Sequence, residues 1–79
     1  MTENPIKTVL HDIAPTLMEA SRKLGLGFEP VRRVSRGLPR RIPDHFKLAL
    51  VEKFGWSGER LAALEHAYTA WREQRGDAE

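Results

Sequence analysis

Apolar residues recur along this chain at spacings of three and four, in short segments separated by proline and glycine. The first segment is Ile6, Val9, Leu10 and Ile13. Asn4 precedes it as a capping residue and Pro5 takes the first helical position, where the missing N–H had no intrahelical partner. Pro15 stops this helix. Thr16 and Glu19 match a capping box, so a second helix starts there, with Leu17, Ala20, Ser21 and Leu24 on one face and Arg22 and Lys23 turned away. It ends at Gly25. Pro30 is tolerable only in the first turn of a helix, so a third helix is predicted from about Phe28 to Arg36, closed by Gly37. Val31 and Val34 face inward, which leaves Phe28, Glu29, Arg32, Arg33 and Arg36 on the outer surface; Phe28 is read as structural rather than as a contact residue.

After Pro43 a fourth helix is predicted, with Asp44 near its positive end and Phe46, Ala49, Leu50 and Phe54 buried; Gly55 suits the position past its end. Trp56 is assigned to the core. Ser57 caps a fifth helix, whose apolar positions Leu61, Leu64, Tyr68 and Trp71 fall at spacings of three, four and three. Leu61 and Leu64 suit packing against the first helix. Tyr68 and Trp71 suit a seam between two copies of the chain, where Leu64 would join them, because aromatics are enriched at interfaces. No alternating run of strand length occurs, so the expected fold is all-α, one domain over residues 1 to 79, with a disordered tail at residues 76 to 79.

Composition removes several classes of chemistry. With 79 residues and no cysteine, the chain forms one small domain without a disulfide, a thiolate metal site or a cysteine nucleophile. His11, His45 and His66 lack the spacing of a helical zinc site. Gly55-Trp56-Ser57-Gly58 lacks one spacer residue of a nucleophile elbow, and Pro30 stands where a dinucleotide fingerprint starting at Gly25 needs its third glycine. Neither an enzyme nor a metal, cofactor or small-molecule ligand is expected. Residues 1 to 7 have no secretory pattern and no apolar run exceeds four residues, so a cytoplasmic protein without a membrane partner is expected.

Charge supplies the positive clue. Net charge is only +2, but residues 22 to 41 hold Arg22, Lys23, Arg32, Arg33, Arg36, Arg40 and Arg41 against Glu29 alone, a local +6 between neutral or acidic flanks. Six of the seven cations are arginine, whose fork matches phosphate and guanine.

Within this island the stretch Ser21-Arg-Lys-Leu-Gly25-Leu-Gly27-Phe-Glu-Pro-Val31-Arg-Arg-Val34-Ser-Arg-Gly37 resembles the lambda-repressor and Cro family of helix-turn-helix DNA-binding domains. The motif would span residues 16 to 37, and the resemblance covers roughly residues 6 to 64. In that family the place of Ser21 is usually Ala, Gly25 makes the turn, Val31 and Val34 anchor the recognition helix and Gly37 ends it. Phe28-Glu29-Pro30 departs from the Ser, Gln or Thr that often opens this helix. The resemblance implies a compact five-helix domain that binds double-stranded DNA as a sequence-specific transcriptional regulator, a dimeric repressor of a phage, plasmid or mobile-element operator. Arg32, Arg33, Arg36 and Glu29 are then the candidate base readers, and Arg22, Lys23, Arg40 and Arg41 the phosphate contacts. Residues 57 to 75 carry the candidate dimer helix, with its seam at Leu64, Tyr68 and Trp71. The alternative is a protein-interaction module such as an antitoxin, with the helix-turn-helix as scaffold.

Overall fold

Asn4 and Pro5 start the first helix as expected: Asn4 Oδ1 accepts from the Ile6 N–H at 3.0 Å. In a computed structural model, which describes residues 3 to 76, five helices follow in order. They are α1 (Pro5–Ile13), α2 (Leu17–Leu24), α3 (Phe28–Ser35), α4 (Asp44–Phe54) and α5 (Gly58–Arg75). No strand occurs among the described residues, and the chain is all-α there. The expected disorder beyond Gly76 lies outside the described residues.

The local signals act at the termini where they stand. Thr16 Oγ1 accepts from the Glu19 N–H and Ser57 Oγ from the Arg60 N–H, each at 3.2 Å. Each satisfies one orphan donor in a first turn. Since Thr16 is solvent-exposed and its hydroxyl caps α2, Thr16→Ala is expected to lower stability by about 1 kcal/mol in urea denaturation, with the slope unchanged. Gly25, at φ +74°, turns the chain between α2 and α3.

Helices α1, α2, α4 and α5 surround α3 or one another so that their inner faces meet in one core. Ile6, Leu10, Ala20, Leu24, Val31, Val34, Phe46, Leu50 and Tyr68 are its most buried side chains. Lys47 on α4 reaches Glu65 on α5 at 2.7 Å, and this hydrogen bond raises the Lys47 ammonium above its ordinary pKa. Phe54 departs from expectation. It stands 41% exposed, because Phe46, Ala49 and Leu50 already fill the inward arc of α4.

The seam expected on α5 is also corrected. Tyr68 is completely buried and Leu64 nearly so, both inside the fold, and Trp71 is half-buried against the same core. The extra turns of α5 cover the end of α3. Tyr68 Oη donates to the Pro39 carbonyl at 2.7 Å, and Trp71 lies over Gly37, with Arg75 stacked on its ring at 4.2 Å. A three-four apolar stripe states that a face is buried but not by what, and here the partner is intramolecular.

Candidate nucleic-acid interface

The third helix is held along its length and at its C-terminus by different means. Along its length, Val31 and Val34 anchor it, at 0% and 1% exposure. At its C-terminus the carbonyl groups that helical geometry leaves open are taken by side chains from both extremes of the chain. Asn4 Nδ2 donates to the Val34 carbonyl at 3.0 Å and to that of Ser35 at 2.9 Å. Arg75 Nη1 donates to the Arg36 carbonyl, while Arg72 Nε and Arg75 Nη2 both donate to that of Gly37, all at 3.1 Å. The guanidinium charges also oppose the negative end of the helix dipole. This clamp gave no clear sign in the sequence, beyond Arg72 and Arg75 standing near the end of a helix.

The face turned away from these anchors carries the charge. Glu29, Arg33 and Arg36 are exposed, and the Arg32 side chain is 39% exposed. Among the described residues neither Arg33 nor Arg36 has a carboxylate within ion-pair distance. Arg32 does: its Nη2 lies 2.8 Å from Glu29 Oε2 and its Nε 3.4 Å from Oε1. The hydrogen bond from Arg32, joined by the charges of Arg32, Arg33 and Arg36, holds the Glu29 carboxyl below its ordinary pKa; the same bond raises Arg32. The charges of all three arginines therefore bear on one carboxylate. Glu29, a candidate base reader, is thus engaged by Arg32 of its own helix.

Arg22, Arg40 and Arg41 are exposed, and stand before and after α3 in the chain. Lys23 is exposed as well, with its Nζ donating to the Ile13 carbonyl at 3.2 Å. Phe28 is 38% exposed at the start of α3. Away from the stripe, Trp56 packs partly against the core under Arg60, whose guanidinium carbon sits 3.8 Å from the ring centroid. Leu48 and Val51 of α4 are exposed beside half-buried Leu61. No helix among the described residues is long and apolar enough to cross a membrane.

Comparison with protein-family models, with curated proteins and with solved structures finds no match to this chain.

Proposed function

We propose that this chain is a sequence-specific double-stranded DNA-binding regulator of the lambda-repressor and Cro type, with α2 and α3 as its helix-turn-helix. The observation that carries the reading is the third helix itself, seated on Val31 and Val34 and clamped at its end, with Arg32, Arg33 and Arg36 on the outward stripe. An α-helix fits the major groove of B-form DNA, and arginine is the residue best shaped to meet guanine O6 and N7 there. A rigid mount matters because base readout depends on sub-ångström placement of those donors. Arg22, Lys23, Arg40 and Arg41 then grip the flanking phosphates and set the register. A single half-site offers little area, so two chains act as a homodimeric repressor in the cytoplasm on an operator with half-sites about 34 Å apart. Pairing uses a surface other than buried Leu64 and Tyr68.

Selection of duplex fragments from a random library tests this. An enriched motif is expected, and Arg33→Ala should relax one base position at a cost of about 1 to 3 kcal/mol. Arg40→Ala should instead weaken all sequences alike and lower the salt slope by about 0.9. Absence of any enriched motif refutes the reading. One observation favours a second reading, a protein-interaction module: the apolar strip of Leu48 and Val51 on α4 faces solvent. A chain that selects no DNA, and whose binding to a protein partner is abolished by Leu48→Glu while its fold persists, would support that alternative.

A further inference from the structure

The ion pair on the third helix uses only part of the Arg32 guanidinium. Glu29 occupies the edge formed by Nε and Nη2, through contacts of 3.4 and 2.8 Å. The adjacent edge, formed by Nη1 and the second Nη2 hydrogen, keeps two parallel donors. Both side chains remain open to solvent, at 39% for Arg32 and 61% for Glu29. Glu29 Oε2, which accepts from Nη2 at 2.8 Å, is the carboxylate oxygen next to those donors and keeps a second lone pair. The pair therefore offers donor, donor and acceptor in that order, from Nη1 through Nη2 to Glu29 Oε2.

We propose that Glu29 and Arg32 form one reading unit whose ligand is a single G·C base pair, with Glu29 as a positioning and discriminating residue for Arg32. This rests on the major-groove reading of α3. The major-groove edge of a G·C pair presents guanine N7 and O6 as acceptors and then the cytosine N4 amino group as donor, the complement of the row on the protein. An A·T pair presents acceptor, donor and acceptor, so the guanidinium would face the adenine N6 amino group and the carboxylate the thymine O4. Two of three positions then oppose like with like. Holding the guanidinium before DNA arrives also removes part of the rotamer entropy that binding would otherwise cost. A carboxylate on a DNA-facing helix weakens nonspecific attraction to phosphate, and that penalty falls on every sequence equally. Discrimination is what remains in its favour.

The test is the duplex selection repeated with Glu29→Gln, Glu29→Asp and Arg32→Ala, each checked for unchanged thermal unfolding. Wild type should require G·C at one position. Arg32→Ala and Glu29→Gln should lose discrimination there by about tenfold, at the same position, while the preferences set by Arg33 persist. Glu29→Asp keeps the charge but draws the carboxylate back by one methylene, so it should lose that discrimination without gaining affinity for other sequences. If Glu29→Gln strengthens binding to all sequences equally and leaves the motif intact, Glu29 is a plain repulsive charge and the unit is refuted. If Glu29→Gln and Arg32→Ala relax different positions, the two residues read separately and the unit is likewise refuted. A wild type that selects no motif removes the DNA reading beneath the inference, and the inference with it.

Discussion

Asn4→Ala is expected to lower stability by about 3 kcal/mol, a large share of what a domain of this size possesses. One buried side chain, 2% exposed, serves two helices. Its Oδ1 caps α1 through Ile6, and its Nδ2 supplies the carbonyl groups of Val34 and Ser35 at the end of α3. Losing the cap costs about 1 kcal/mol. Val34 retains its bond from the Gly37 N–H, but the Ser35 carbonyl has no other protein donor among the described residues, and leaving it buried costs about 1 to 3 kcal/mol more. Two further variants separate the roles. Asn4→Ser keeps a capping oxygen but not the amide donor, so it should fall between wild type and alanine. Asn4→Asp keeps the cap but points a carboxylate at two carbonyl oxygens, which raises that carboxyl's folded pKa above its unfolded one. Its stability should therefore be lowest at neutral pH and recover as the pH falls through the folded value, where the protonated acid donates again. Urea denaturation at two pH values reads all three, and Asn4→Ala within a few tenths of a kcal/mol of wild type would contradict the shared role.

This residue also shows where the sequence was readable and where it was not. Asn4 before Pro5 announced a helix start because a cap is a local device, as did Thr16 and Ser57, and the glycines after α2 and α4 announced helix ends in the same way. Spacing likewise placed Val31 and Val34 inside and the arginines outside, because a helix surface is a matter of angle alone. What a neighbour thirty residues away supplies has no such signature. The Asn4 amide reaching Ser35, and Arg72 and Arg75 reaching Gly37, depend on how helices dock, and no pattern of three and four encodes that. The same gap misplaced Tyr68 and Leu64. Their stripe was read correctly as buried, but α5 wraps back over the loop after α3, so the surface that covers them belongs to the same chain. The Glu29–Arg32 pair lies between these cases, since a spacing of three permits it but only the rotamers show that one guanidinium edge stays free.

The clamp makes Gly37 the least replaceable glycine of the fold, and Gly37→Ala is expected to cost about 3 to 4 kcal/mol. Two effects add. At φ +73° an alanine pays about 1 to 2 kcal/mol for the left-handed conformation alone. A Cβ there would also stand 2.6 Å from Trp71 Cη2 and 2.9 Å from Arg75 Nη1, inside van der Waals contact with a ring packed against the core. Neither group moves freely, because Arg75 is stacked on that ring and donates to the Arg36 and Gly37 carbonyls. Gly55 provides the control. Its φ of +69° is nearly the same, yet an added Cβ meets nothing within 4 Å, so Gly55→Ala should cost only the backbone share. A double-mutant cycle completes the separation: in a Trp71→Ala background the ring is gone, and Gly37→Ala should fall to roughly the cost of Gly55→Ala, a coupling of about 2 kcal/mol. Calorimetric or urea-derived stabilities of the four proteins decide it. If Gly37→Ala costs no more than Gly55→Ala in the intact chain, then α5 does not lie across the end of the third helix, and the rigid mount on which the proposed base reading by Arg32, Arg33 and Arg36 depends is not there.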